Sequence, residues 1–211
     1  MTRALLACGI VGPTLFILTF LFAGATRRGY DPWRNLVSQL ATGAGGWVQI
    51  ANFVACGVLL IAMAIGLWRS SGRTATAGIV AVLGVALIFA GAFVTDPGFG
   101  YPPGTLERRT FHGEIHDYVS IVAFLSLGLA PLSAAVFPQT SASRAWRVYS
   151  TLAAAIVLVF IVVTTIAVNS AQSGTWPDAP TGLLQRISIV AGLGWLVALS
   201  FRSLPRTRAL E

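Results

Sequence analysis

The residues with the greatest capacity for chemistry lie in two short polar stretches, residues 95–97 and 112–117, which stand between long apolar segments. Both histidines of the protein, His112 and His116, belong to the second stretch. Ionisable groups are energetically costly beside hydrocarbon, so their concentration next to apolar segments indicates a function. We therefore interpret this cluster as the working site.

His112, His116 and Ser120 are spaced at i, i+4 and i+8, which places them on one face of a helix. A single stripe thereby presents two imidazoles and a hydroxyl group. At the start of a helix the macrodipole disfavours imidazolium, so both rings are expected in the neutral form that binds a metal or accepts a proton. Ser120 is expected to contact the substrate.

Two histidines alone do not complete a catalytic zinc site, which normally takes three protein ligands and one open position. Glu114 and Asp117 lie elsewhere on the helix circumference, so Asp96 is the preferred third ligand. One hypothesis is therefore a site for zinc or another divalent metal made by His112, His116 and Asp96.

Two alternatives need no metal. In the first, Asp96 is a general acid and the two histidines are bases or orienting groups. In the second, Asp96 and His116 have a structural role, capping helix ends and pairing with Arg186 or Arg108. The sequence leaves all three interpretations open.

Three further residues are candidates for substrate binding. Arg186 opens the last apolar segment, where the helix dipole is unfavourable for a cation, so we expect an anionic partner: Asp96, Asp117 or a lipid phosphate. The loop 96–104 is rich in proline and glycine and should turn Tyr101 back over the helix ends. Trp195 lies inside an apolar segment, where it either lines a cavity or packs in the core.

The composition predicts an all-α, polytopic membrane protein. Apolar residues make up 55% of the 211 residues and charged residues 10%, and six apolar runs match the length that crosses a hydrocarbon core of roughly 30 Å. They lack the alternation of barrel strands. The first is too long for a signal-peptide core and is expected to be retained. The predicted single six-helix domain covers 1–209, and 210–211 is interpreted as a cloning scar; the predicted spans are 5–25, 47–68, 74–94, 112–137, 146–168 and 183–201.

Charge predicts the orientation of these spans. The amino terminus, the connections after the second and fourth spans and the carboxy-terminal tail carry arginine with almost no acid, so both termini are predicted to be cytoplasmic and the histidine cluster to face outward. The net charge of +7 is divided among helix ends on both faces, which argues against a nucleic-acid partner. The expected location is the bacterial inner membrane.

The outward connections are longer than the inward ones, and long loops in compact proteins often carry function. Residues 30–43 begin with a Tyr-Asp-Pro-Trp run and are predicted to form a short lid-like helix. An equally good interpretation is an aromatic anchor in the headgroup layer, formed by Tyr30 and Trp33.

Four short motifs resemble those of the bacterial family called domain of unknown function 998: residues 38–40, 95–97, 112–116 and 182–186. This resemblance implies a six-helix inner-membrane protein. A weaker one, to membrane hydrolases of the ceramidase and adiponectin-receptor superfamily, implies a zinc site that combines a serine, an aspartate and a histidine pair. The chain offers Asp96, His112 and His116 for that pattern, although the third histidine of the superfamily is missing. Ser38, in the first of the four motifs, is a candidate for substrate binding.

These observations predict an integral-membrane enzyme that acts on a lipid or isoprenoid substrate at an outward-facing polar site. The reaction would be acid–base or metal-assisted, of a hydrolase or terpene-cyclase type. The alternative is a non-enzymatic protein that binds, senses or transports a lipophilic ligand. The expected partners are the lipid bilayer and a lipophilic small molecule.

Overall fold

In the computed structural model, the described residues are 1–71, 74–137 and 142–204. They form six α-helices and one short 3-10 helix, and the two terminal residues interpreted as a cloning scar lie outside them. The helices are α1 (Thr2–Thr26), α2 (Trp47–Ser71), α3 (Thr74–Ala92), α4 (Phe111–Val136), α5 (Arg144–Gln172) and α6 (Thr181–Ser203), and the 3-10 helix is Val37–Ala41.

All six helices are long and apolar enough to cross a membrane, which confirms the predicted all-α fold with six spans. Their bounds differ from the predicted ones by a few residues, mainly because polar residues extend the helices beyond the apolar core. Thr110 and Ser143 explain two of the beginnings, since their side chains accept hydrogen bonds from the backbone N–H groups of Gly113 and Trp146.

Each helix packs against its neighbours in chain order, and α6 returns to α1 and closes the bundle. α6 also contacts α4, so α5 lies on the outside of this pair. Hydrogen bonds join the helices at buried positions: Thr76 of α3 to Ser133 of α4, 2.9 Å between their oxygens, and Trp195 Nε1 of α6 to Ser150 Oγ of α5 at 2.9 Å. Such bonds are favoured inside a bundle because lipid offers no alternative partner.

Six crossings give the bundle two ends, which we name for reference. The terminal face contains the beginning of α1, α3 and α5 and the end of α2, α4 and α6; the loop face contains the opposite ends and the 3-10 helix. Large aliphatic side chains fill the half of the bundle near the terminal face, where Leu6, Leu67 and Leu199 have no exposed surface. The half near the loop face is less completely filled.

The connection from α1 to α2 makes the short helix expected from its sequence, but the helix begins at Val37 rather than at Pro32. The side chain of Asp31 accepts a hydrogen bond from the N–H of Trp33 at 2.9 Å, and its carbonyl accepts one from Asn35 at 2.7 Å. These bonds make residues 31–35 a turn. Every residue of the 3-10 helix is buried, so this segment closes the loop end of the bundle.

Candidate functional site

A cavity lies inside the loop half of the bundle, directly beneath the 3-10 helix. Its volume is about 50 Å³. This is room for about four waters or for a short stretch of a hydrocarbon chain. Its wall is almost entirely apolar, and it is lined by Phe16, Val37, Ser38, Phe53, Leu83, Leu87, Ala90, His116, Ser120, Ala123, Phe124, Leu127, Gln185, Ile189 and Leu193.

His116 is the one titratable side chain among the described residues that line this cavity, and only 2% of its surface is exposed. Its Nδ1 lies 2.8 Å from the carbonyl oxygen of Phe93 and 3.2 Å from that of Ala90, at the end of α3. Because a carbonyl only accepts, Nδ1 carries the proton, and Nε2 of the neutral ring holds the free lone pair. Within the described residues Nε2 has no hydrogen-bond partner.

Ser120 lies one helical turn beyond His116, and the hydroxyl groups of Ser120 and Ser38 have no hydrogen-bond partner in the described part of the chain. Gln185 of α6 also lines the cavity, and its Oε1 accepts a hydrogen bond from the N–H of Val37 at 2.7 Å. This bond fixes the orientation of the amide. The cavity therefore combines an apolar wall with four polar groups from three elements, which is the usual composition of a small-molecule site.

Asp96 does not line the cavity. Its carboxylate accepts two hydrogen bonds from Thr110, from the N–H at 2.8 Å and from the hydroxyl at 2.6 Å. Gly113 leaves the necessary space, because a Cβ atom there would lie 2.1 Å from Oδ2 of Asp96. Asp96 thus binds Thr110 at the beginning of α4, and among the described residues it forms no ion pair with Arg186 or Arg108.

His112 is exposed, and its ring lies 5.4 Å from that of Phe93. The two histidines share a helix face but are in different environments, since only His116 is buried. No group of three or more His, Cys, Asp or Glu side chains that could hold a metal occurs among the described residues. The ligand set of His112, His116 and Asp96 is thus not assembled in this structure.

The guanidinium group of Arg186 contacts backbone carbonyl oxygens and a phenol hydroxyl instead of the expected anionic partner. Its Nη1 donates to the carbonyl oxygens of Pro32 at 2.7 Å, Asn35 at 3.0 Å and Gly182 at 2.8 Å, and its Nη2 donates to the hydroxyl of Tyr30. Gly182 permits the close approach, because a Cβ there would lie 2.3 Å from the carbonyl oxygen of Asn35. The expected pairing with Asp96 or Asp117 is wrong, and Asp117 instead lies 3.6 Å from Arg109.

Tyr30 is held in the protonated form by its environment. Burial raises the pKa of this phenol to about 12, although the neighbouring Arg186 acts in the opposite direction. The neutral hydroxyl accepts from Arg186 and donates towards the carbonyl oxygens of Asn35 and Leu36, at 3.1 and 3.0 Å. Arg186 and Tyr30 together hold the turn that precedes the 3-10 helix. They therefore stabilise the segment that covers the cavity, Val37–Ala41, without lining the cavity themselves.

Tyr101 and Trp195 also lie outside the cavity. Residues 98–101 form the predicted tight turn, in which Gly98 and Tyr101 exchange backbone hydrogen bonds of 3.1 Å. Tyr101 is buried against Tyr30, with ring centroids 5.1 Å apart, and its hydroxyl accepts from Arg27. Trp195 has no exposed surface and stacks on Trp146 at 5.8 Å, which agrees with core packing rather than with the cavity.

The sequence analysis named Ser38, His116 and Ser120 but missed most of the cavity wall, including Gln185, Phe16 and Phe53. Gln185 carries a recognisable signal, because it is polar, opens an apolar span and is followed by Ile189 and Leu193 at i+4 and i+8 on the same face. The two phenylalanines carry none, since aromatic residues in an apolar span are common in both cores and cavities.

The model of a family described as "Protein of unknown function (DUF998)" matches residues 10–202. The chain belongs to this family. No curated protein and no solved structure matches the chain. The weaker similarity to the ceramidase and adiponectin-receptor superfamily therefore has no support from these comparisons, whereas the six-span family resemblance is confirmed.

Proposed function

We propose that this member of the family is an integral-membrane enzyme that holds a slender lipophilic substrate, a lipid or an isoprenoid, in the central cavity and transfers a proton on its polar end through His116. The observation that carries the proposal is Nε2 of a buried, oriented histidine, which has no partner among the described residues and lies in a largely apolar cavity. A buried polar atom without a partner is costly, so its retention is better explained by a ligand that completes its hydrogen bonding.

The proposed chemistry is general acid–base catalysis. Nε2 of His116 accepts a proton from the polar end of the substrate or from the hydroxyl of Ser120, and later returns it. The carbonyl of Phe93 holds the Nδ1 proton and stabilises the imidazolium formed between these steps. Ser38 and the amide of Gln185 supply hydrogen bonds for an oxygen of the substrate, and the three phenylalanines of the wall contact its hydrocarbon part.

Asp96 has a positioning role in this proposal, since it acts on the beginning of α4 through Thr110. Chemistry that requires a carboxylic acid in the cavity, such as protonation of an alkene by a terpene cyclase, is correspondingly less favoured. Acid–base chemistry on an oxygenated group fits the side chains that line the cavity better.

The orientation of the protein is part of the proposal. Five described arginines lie at the terminal face, Arg3, Arg69, Arg144, Arg147 and Arg202, with no described carboxylate beside them, whereas the loop face and its connections combine six described arginines with all six described carboxylates. Because cytoplasmic loops collect basic residues, the terminal face is assigned to the cytoplasm and the cavity to the outer half of a bacterial inner membrane.

Binding without turnover is the second candidate function, favoured by the presence of a single titratable side chain among the described cavity residues. It would use the same cavity and the same hydrogen-bonding groups. A lipophilic ligand would then remain chemically unchanged.

The two candidates can be separated with total lipid extract from a bacterial membrane as the probe. Purified protein in nanodiscs is incubated with the extract, and retained and newly formed molecules are analysed by mass spectrometry. The enzyme proposal expects a product with wild-type protein and none with His116→Gln, which keeps a donor for Phe93 but lacks a basic nitrogen. The control is His112→Gln at the exposed histidine, which should retain activity.

Retention of a lipophilic molecule without any product would favour binding alone. Equal product formation by wild-type protein and His116→Gln would refute the proposed role of His116. In the Ala123→Leu variant the cavity is filled. If this variant retains every molecule of the extract that the wild-type protein retains, the cavity is not a ligand site.

A further inference from the structure

A second cleft lies at the terminal face, between the end of α4 and the first two turns of α5. Its volume is about 540 Å³, and Ala135 of α4 and Ala142, which precedes α5, form one wall. The other wall is a stripe on α5 at i, i+3, i+4, i+7 and i+8, all of it exposed: Arg144, Arg147, Val148, Thr151 and Leu152. The stripe places two guanidinium groups in the first turn of α5 and the apolar side chains of Val148 and Leu152 in the turns that follow.

Neither guanidinium group has a protein partner among the described residues. The side chains of Arg144 and Arg147 make no ion pair and no hydrogen bond with the described residues. The two ion pairs among the described residues, Arg34–Asp178 and Arg109–Asp117, lie at the loop face. The protein has seven carboxylate side chains. Six of them lie on the loop side, and the seventh is Glu211 at the end of the chain.

The apolar strip continues away from the arginines along the same side of α5. Leu152, Ile156 and Val159 follow one another at i, i+4 and i+7, and 56%, 38% and 56% of their surfaces are exposed. A molecule in the cleft would therefore meet two cations at one end and a continuous hydrocarbon surface at the other. That pairing of surfaces matches the headgroup and acyl chain of a membrane lipid.

We propose that this cleft binds an anionic glycerophospholipid from the leaflet at the terminal face. The phosphodiester lies between Arg144 and Arg147, whose planar guanidinium groups offer paired N–H donors to phosphate oxygens. One acyl chain runs along Val148 and Leu152. The charge of the lipid supplies the counter-ion that the described protein lacks at this face, and the site is independent of the chemistry proposed for the central cavity.

The proposal predicts a specific preference that native mass spectrometry measures. Protein is released from nanodiscs that contain equal amounts of dioleoyl phosphatidylglycerol and dioleoyl phosphatidylcholine, and the lipids that remain bound are counted. Wild-type protein should retain phosphatidylglycerol in preference to phosphatidylcholine. The Arg144→Gln/Arg147→Gln variant should lose this preference, with a fall in phosphatidylglycerol affinity on the order of tenfold.

The matched control is Arg3→Gln/Arg69→Gln, which removes the same charge from the same face outside the cleft. It should retain the lipid preference of the wild type. Equal retention of the two lipids by wild-type protein would overturn the proposal. So would an unchanged preference in the cleft variant, and so would an equal loss in the control, which would indicate bulk surface charge rather than a site.

Discussion

The backbone N–H of Val37 donates a 2.7 Å hydrogen bond to Oε1 of Gln185, and this bond joins the 3-10 helix to α6. Both residues line the central cavity. The oxygen of the glutamine therefore holds the 3-10 helix in place above the cavity. Replacing Gln185 should therefore alter both the stability of the 3-10 helix and the binding of a ligand in the cavity.

Gln185→Leu should loosen the 3-10 helix. The variant leaves the buried N–H of Val37 without an acceptor, which costs about 1–3 kcal/mol. Hydrogen exchange measured by mass spectrometry should show faster exchange of residues 37–41 in the variant, and the thermal midpoint should fall. Gln185→Glu keeps an acceptor oxygen and should restore slow exchange in this segment. Equal protection in wild type and Gln185→Leu would contradict the assigned role of the bond.

Arg186→Lys should destabilise the protein although it keeps the charge. A lysine ammonium does not reproduce the planar fork that reaches three carbonyl oxygens and the hydroxyl of Tyr30. The expected loss is about 1.5–3 kcal/mol, visible as a lower unfolding midpoint in detergent. Arg28→Lys, at an exposed position, is the control and should leave the midpoint unchanged. A lysine variant as stable as the wild type would mean that charge alone is sufficient at position 186.

The buried phenol of Tyr30 should make stability depend on alkaline pH. Its pKa is raised to about 12 from an ordinary value of 10.0, so the folded protein keeps a proton that the unfolded chain releases in this interval. Stability from this group is full below about pH 10 and is lost as the pH rises towards 12. Unfolding midpoints measured across this interval should fall more steeply for wild type than for Tyr30→Phe. Parallel curves for the two proteins would exclude the effect.

The sequence predicts the six spans well, because the length and apolarity of each are dictated by the bilayer rather than by tertiary contacts. It also places His116 and Ser120 on one face, since helical spacing is local information. It does not reveal the partners of Arg186, because backbone carbonyl oxygens are present at every position and leave no pattern of residue types.

The contacts of Asp96 were also not predictable from the sequence. A carboxylate near a histidine pair suggests an acid or a metal ligand, and the sequence does not show that Thr110 and Gly113 prepare a place for it at the beginning of α4. Gly113 of the histidine motif is explained by the close approach of the Asp96 carboxylate. This contact is visible only when the end of α3 and the beginning of α4 are packed together. Side-chain roles that depend on such contacts between segments are not accessible from spacing alone.

The tautomer of His116 can be observed directly. Nitrogen NMR of protein labelled only at histidine should contain two residues' signals, because the chain has two histidines. His116 should be in the Nδ1–H form, since Nδ1 donates to the carbonyl of Phe93. The exposed His112 should show rapid exchange between tautomers, and His112→Gln assigns the remaining signal. An Nε2–H form at His116 would remove the free lone pair on which the proposed proton transfer depends.

Ala123→Leu should fill the central cavity and abolish retention of a lipophilic ligand while the bundle stays folded. Ala123 lines the cavity and is buried, and the three carbon atoms that leucine adds take up most of the room for about four waters, with a repacking strain of about 1–3 kcal/mol. Val122→Leu, on the lipid-exposed side of the same helix, adds volume outside the cavity and is the control. Retention is measured by extracting the purified protein and identifying bound lipids by mass spectrometry. Loss of retention in Ala123→Leu alone would support the cavity as the binding site, whereas equal retention in both variants would assign the bound lipid to the outer surface.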